Sequence, residues 1–248
     1  MELFLVGCGT GNPDHITMEG LKALRMAQLI LLPVKGEQKS ALADIRREIL
    51  ATHLGTAAPQ IRTFEIPSRR TDIPYQQAVL GWHDEIAKRW QAALNAASSP
   101  ERVALMIWGD PSVYDSAIRI AERLTPVPQI TVIPGISAIQ VLTAAHKLPL
   151  NRLAGNITIM TGRNLREHGI DDNIDDIVVM LDGECSFTSL PAQNFDIYWG
   201  AYLGMAEQIL CFGGLADIAD EIIRVRAEAR ARHGWIMDSY LLRRRPQS

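Results

Sequence analysis

Residues 102–116 read RVALMIWGDPSVYDS, and the organisation of the whole chain can be worked out from this stretch. Val103–Ile107 is a continuous apolar run that ends abruptly at Trp108-Gly109-Asp110-Pro111. Such a run, bounded by a Gly/Pro turn, predicts a strand buried on both faces of an α/β sheet. The turn falls at the carboxyl end of the strand, where open α/β sheets bind ligands. Gly109 lets a ligand come close to the backbone, Asp110 puts one carboxylate at the strand tip, and Pro111 stiffens the turn. Beyond it, Ile118, Ala121 and Leu124 have helical spacing over Ser116–Leu124. Gly-Asp-Pro is also a common turn sequence, so this stretch alone does not separate a ligand site from an ordinary strand-turn-helix.

Composition narrows the class. With 248 residues, 47% hydrophobic content and 18 glycines, the chain fits one large or two small globular α/β domains. A net charge of −3 argues against a nucleic-acid surface. Cys8, Cys185 and Cys211 are odd in number and form no Cys-x-x-Cys pair, which predicts reduced thiols in a cytoplasmic protein and no metal site. No apolar run approaches the ~20 residues of a membrane span, and Met1-Glu2-Leu3 carries no basic leader.

Working outward, Glu2–Val6 is a strand opening into Gly7-Cys8-Gly9-Thr10-Gly11-Asn12-Pro13-Asp14-His15. Alternating glycines after a strand suggest a dinucleotide cradle. Pro13 interrupts that pattern, however, and the next strand, Leu29–Leu32, ends in Pro33-Val34-Lys35 without the acid that would hold a ribose. No Walker loop is present either. Thr17 is placed to cap the first helix. A helix up to Leu50 follows, with Leu42, Ile45 and Ile49 inward, and Lys35, Lys39, Arg46 and Arg47 are read as a solvated face.

Ile61–Ile66 is a strand, and Tyr75–Ala96 is a long amphipathic helix with Val79, Trp82, Ile86, Trp90 and Ala93 inward. Asp84–Lys88 and Glu85–Arg89 are expected to pair on its outer face, and His83 is read as structural. Gln129–Ile133 ends in Pro134-Gly135-Ile136-Ser137, with Ser137 placed to cap Ala138–Ala145. A domain boundary at 126/127 is expected, with Leu148–Asn151 as the other candidate. The second half reads as mixed, with strands at Ile157–Met160, Ile177–Leu181, Phe195–Tyr202, Glu207–Cys211 and Trp235–Leu242. A helix over Leu215–Ala231 stops at Gly234, and Arg243–Arg245 is read as a solvated tail.

The strand tips thus carry GCGTGNPDHIT, WGDPSVY, IPGISA, VMLDGE and CFGGLADI, in that order. This set resembles the tetrapyrrole methyltransferase family from Leu3 to Leu242. The matching motifs are Gly7/Gly9/Gly11/Pro13, Gly109-Asp110-Pro111 with Tyr114, and Pro134-Gly135-Ile136-Ser137. The resemblance implies two α/β domains, each a mixed sheet flanked by helices, with S-adenosyl-L-methionine in the cleft between them. It also implies a homodimer acting on a small-molecule tetrapyrrole, with no nucleic acid and no membrane as partner. Trp108 departs from the pattern, because the family often has a second glycine there. Within the family, Lys35–Leu50, PDHIT and Asp182–Cys185 resemble the members that act on precorrin-5. That implies methylation of its carbon 1 and loss of the extruded two-carbon unit as acetate. A member acting on another ring carbon, a non-catalytic binder and a degenerate NAD(P) enzyme remain open.

The resemblance places Pro13, Trp108, Gly109, Asp110, Val113, Ser137, Ala138, Leu181, Gly214 and Leu215 at the cofactor, and Gly9 and Gly11 at the macrocycle. A substrate rich in carboxylates needs cations, for which Lys35, Lys39, Arg46, Arg69, Arg70 and Arg163 are candidates. Methyl transfer is an in-line displacement that needs alignment. Release of an acetyl unit needs an attacking water and gains from a base, for which His15, Asp14, Tyr114 and Glu184 are candidates.

Overall fold

A computed structural model describes residues 1–34 and 41–246. The chain divides into two compact units, Met1–Ser137 and Ala138–Ser248.

The first unit alternates strand and helix: β1 (Glu2–Gly7), α1 (Met18–Met26), β2 (Leu29–Val34), α2 (Ala41–Leu54), β3 (Gln60–Glu65), α3 (Tyr75–Asn95), β4 (Arg102–Ile107), α4 (Ala117–Ala121) and β5 (Gln129–Ile133). The strands form one sheet in the order β3-β2-β4-β1-β5, and every neighbouring pair is parallel. Strand periodicity explains the layering. Leu3, Leu5, Leu29, Leu31, Val103, Leu105 and Ile107 face α3 and α4. Phe4, Val6, Ile30, Leu32, Ala104 and Met106 face α1 and α2. Both faces are covered, which is why β2, and β1 and β4 after their charged first residues, are continuously apolar rather than alternating. Because all five strands are parallel, their carboxyl ends share one edge of the sheet.

The second unit holds α5 (Ala138–Ala145), β6 (Ile157–Thr161), α6 (Gly162–His168), β7 (Asp176–Met180), β8 (Phe195–Ala201), β9 (Ile209–Gly214), α7 (Leu215–His233) and β10 (Asp238–Arg244). Its sheet runs β6-β7-β10-β8-β9. Only β6 and β7 are parallel, and the remaining pairs are antiparallel. Ile177, Val179, Ile197, Trp199, Tyr240 and Leu242 pack on one face against Leu165 of α6 and Leu215, Ile222 and Ala229 of α7. Gly234, at φ +74°, closes α7 as a left-handed C-cap.

Several expectations change. The sheet of the first unit is wholly parallel rather than mixed. The boundary moves from 126/127 to 137/138, because β5 completes the first sheet by pairing with β1. The last strand runs from Asp238 to Arg244 instead of Trp235 to Leu242, so Arg243 and Arg244 are strand residues. Arg243 pairs with the buried Asp176 at 3.3 Å and Arg245 with Asp196 at 2.8 Å, so the arginine run is anchored and is not a solvated tail. On α3, Lys88 reaches Glu85, Arg89 reaches Glu65 and Arg123 reaches Asp84, replacing both expected i,i+4 pairs. The helix α6, opened by Thr161 capping the Asn164 amide, was not anticipated. It carries Arg163.

Candidate active site

In the first unit the tips of β1, β4 and β5 meet at backbone distance. A Cβ on Gly7 would lie 2.6 Å from Gly135 Cα and 2.8 Å from Gly109 O. A Cβ on Gly135 would run into the Gly109 carbonyl and stand 2.8 Å from Gly7 Cα. No side chain fits at either position, so Gly7 and Gly135 are there to let main chains touch. Gly109 N donates to Gly9 O at 2.8 Å, and both residues sit at positive φ, +67° and +76°. Over Gly109 the space is open, since a Cβ there would have only Ser137 Cα, at 3.8 Å, as a neighbour.

Asp110 fastens this crossing. Its Oδ2 accepts the Gly135 amide at 2.8 Å, and its Oδ1 accepts the Ser112 amide at 2.8 Å together with the Ser112 hydroxyl. Burial alone would raise the pKa of this carboxyl, but the Ser112 and Gly135 donors outweigh it and hold the pKa below the usual range. Both oxygens of Asp110 thus act as a brace between strand tips.

The loop after β1 is equally held. Asn12 Oδ1 accepts the Asp14 amide at 2.9 Å and opens a short 3-10 turn over Pro13–His15. His53 Nε2 donates to Pro13 O at 2.9 Å. His15 Nδ1 lies 3.0 Å from Thr10 Oγ1 and the His15 Cβ packs on Gly9, so Thr10 fixes which ring nitrogen is committed. Burial lowers the His15 pKa, against the pull of Asp14. Asp14 is exposed. It does not cap α1, because Thr17 does, accepting the Gly20 amide at 3.0 Å. Gly11 is buried at φ +111°. Val113 is half-buried, and Tyr114 stands exposed at φ +52° with burial raising its pKa. Ser137 is buried.

The cations separate. Arg46 is 6% exposed, and its guanidinium donates to Met106 O at 3.1 Å and Leu42 O at 3.0 Å, 5.8 Å from the Trp108 ring centroid. Burial lowers its pKa. It is an internal strut, corrected from both the solvated face and the substrate set. Its burial was detectable, since Arg46 sits four residues after Leu42 and three before Ile49 on the inward stripe. Trp108 is half-buried and lies over Arg46. Arg69 and Arg70 are exposed beyond β3, Arg69 over the Tyr75 ring at 4.7 Å and Arg70 paired with Asp72 at 2.6 Å. Lys35 and Lys39 lie outside the described residues.

In the second unit the carboxyl end of β7 carries Leu181, 66% exposed at φ +55°, followed by the buried Asp182. Asp182 accepts from Glu184 N at 3.1 Å, Ser186 N at 2.6 Å, Ser186 Oγ at 2.8 Å and Tyr240 OH at 2.7 Å. None of these partners was foreseen, and Tyr240, 58 residues away, leaves no local signal. Glu184 pairs with Arg166 at 2.9 Å. Gly214 has no room for a Cβ, which would stand 2.5 Å from Asp217 Oδ2 and meet the Arg245 guanidinium. Leu215 is 1% exposed in the core, so its side chain offers no open apolar contact. Ala138 is half-buried at the start of α5, and Arg163 is exposed on α6.

Glycine-made strand tips on a parallel sheet, joined to a second mixed α/β unit, define a class of protein. Residues 2–219 match the family of Tetrapyrrole (Corrin/Porphyrin) Methylases, and the chain belongs to that family. More particularly, it is 40% identical over 249 residues to a precorrin-6A synthase [deacetylating] of Sinorhizobium sp., covering 98% of this chain and 95% of that one. Among solved structures it is similar to a cobalamin synthesis related protein (CobF) from Corynebacterium diphtheriae, with TM-score 0.81, 36% identity and 98% of each chain covered. A uroporphyrin-III C-methyl transferase from Thermus thermophilus, complexed with S-adenosyl homocysteine, shares the fold at TM-score 0.61 and 17% identity, with 98% of this chain and 97% of that one covered.

Proposed function

We propose that this chain is a deacetylating precorrin-6A synthase, which methylates precorrin-5 at carbon 1 and releases the extruded two-carbon unit as acetate. The observation that carries this reading is the full-length likeness to the Sinorhizobium enzyme. S-adenosyl-L-methionine would supply an electrophilic methyl group on a sulfonium. The open space above Gly109 leaves room for such a group, because no side chain stands in front of the main chain there. Pro13, Trp108, Gly109, Asp110, Val113, Ser137, Ala138, Leu181, Gly214 and Leu215 are the residues proposed for the cofactor. In-line transfer asks these residues for alignment, and a floor of three main chains in contact cannot drift. Gly9 and Gly11 would present the β1 loop to the macrocycle, with Lys35, Lys39, Arg69, Arg70 and Arg163 as carboxylate partners.

For deacetylation His15 is the favoured base, ahead of Asp14, Tyr114 and Glu184. Its lowered pKa favours the neutral ring, and in the tautomer whose Nδ1–H donates to Thr10 Oγ1 the free Nε2 accepts a proton from water. The test is product mass and acetate released per methyl transferred, from purified precorrin-5 and cofactor. Wild type is expected to give one acetate per methyl, and His15→Ala a methylated product that keeps its acetyl group. Methylation at another carbon would sink the assignment, and an unchanged ratio in His15→Ala would remove the histidine from it. We place the enzyme in the cytoplasm as a homodimer, and a monomeric mass by light scattering would overturn the latter.

A further inference from the structure

Leu181 holds a costly pose. A bulky non-glycine residue is disfavoured in the left-handed region because its Cβ crowds the following carbonyl oxygen, and Leu181 sits there at φ +55° with 66% of its surface exposed. Core burial gains little from that arrangement. Such a conformation persists when the surroundings over-determine it, and it tends to mark ligand contacts.

The next residue supplies the over-determination. The carboxylate of Asp182, 5% exposed, accepts from Glu184 N, Ser186 N, Ser186 Oγ and Tyr240 OH, which fills about the four lone-pair sites a carboxylate has. Its carbonyl accepts from the Arg226 guanidinium at 3.0 Å. Arg226 is in turn fixed by Asp238 at 2.9 Å, and Asp238 also takes Trp199 Nε1 at 3.0 Å. On the remaining side Gly162 leaves no gap, since a Cβ there would stand 2.5 Å from Asp182 Cβ. A buried polar network with every member satisfied is rigid, and its effect reaches the residue before it.

We propose that Asp182 and Tyr240 are positioning residues for the cofactor: they lock residues 181–186 so that Leu181 stands ready as an apolar contact for an adenosine-type ligand. This rests on the reading above, in which Leu181 meets the cofactor. Preorganisation of this kind improves affinity by removing the ordering cost at the moment of binding.

The experiment measures calorimetric affinity for S-adenosylhomocysteine, together with thermal unfolding, on the full chain. Leu181→Gly, which adopts positive φ freely, should keep or raise the melting temperature and raise Kd about tenfold. Tyr240→Phe should lower the melting temperature and also raise Kd several-fold. In the double variant the Kd should equal that of Leu181→Gly alone, while the drop in melting temperature due to Tyr240→Phe persists. Tyr240→Phe with unchanged Kd, or Kd effects that multiply in the double variant, would overturn the positioning role. Where Tyr240→Phe does not fold, Ser186→Ala removes another of the four carboxylate donors and enters the same cycle. Wild type that fails to bind the ligand overturns the reading of the site itself, and the positioning role falls with it.

Discussion

The strand tips of the two units are built by opposite means. In the first unit, β1, β4 and β5 converge through Gly7, Gly109 and Gly135, and the shape is made by main chain with side chains left out. In the second, the end of β7 is shaped by side chains, with one buried carboxylate gathering donors from its own loop and from Tyr240. The difference lies in where the information sits. Missing side chains can be seen in a motif, because glycine is the one residue that supplies them. A filled carboxylate depends on partners that come from elsewhere in the chain.

The largest effect should come from closing the first tip. Gly135→Ala puts a Cβ into the Gly109 carbonyl and onto the Gly7 main chain. Backbone cannot repack as a side chain does, so the loss should reach or exceed the upper end of the ~1–3 kcal/mol typical of overpacking. Urea unfolding measures it. Gly183→Ala, in the β7 loop, has nothing within 4 Å of the added Cβ and should stay within about 0.5 kcal/mol. Equal effects at the two glycines would erase the contrast between the tips.

Next in size is the side chain that braces the crossing of β4 and β5. Asp110→Asn turns one acceptor oxygen into a donor facing the Gly135 or Ser112 groups, an expected loss of roughly 1–3 kcal/mol. Weaker binding of S-adenosylhomocysteine should accompany it. The pKa of Asp110 in the fold is held below its unfolded value of about 3.9. Its contribution is therefore present above that pH and lost as pH falls through the depressed folded value. Wild type should lose this share of stability below about pH 4, and Asp110→Asn should not. An acid-unfolding curve identical in the two proteins would leave Asp110 without its bracing role.

The smallest effect lies outside both tips. Arg69 and Arg70 follow the edge strand β3, and the Arg70–Asp72 pair is exposed on both sides. Replacing both with alanine should leave stability essentially unchanged, since exposed pairs contribute little. The KM for a carboxylate-rich substrate should rise about threefold, with a shallower salt dependence. Unchanged kinetics would return both arginines to the solvent-facing set and confine recognition to the tips and the loops beside them.

What the sequence determined by itself is local in origin. Apolar runs ending in Gly/Pro turns located β1, β2, β4 and β5 and their tips, and Thr17 and Gly234 marked helix ends. Helical spacing found the inward face of α3. The order of the glycine motifs pointed to the family that the full-length match then identified. Tertiary structure decided everything that needs a distant partner. It set the unit boundary, because β5 belongs to β1 across the chain. It turned Asp110 inward onto Gly135, and it buried Arg46 against the Met106 carbonyl. It joined Asp182 to Tyr240, and it drew Arg243 onto Asp176. The reason is physical. A glycine or a cap acts through its own backbone and is visible where it stands, whereas the role of a charged or polar side chain is set by which donors and acceptors the fold brings within about 3 Å.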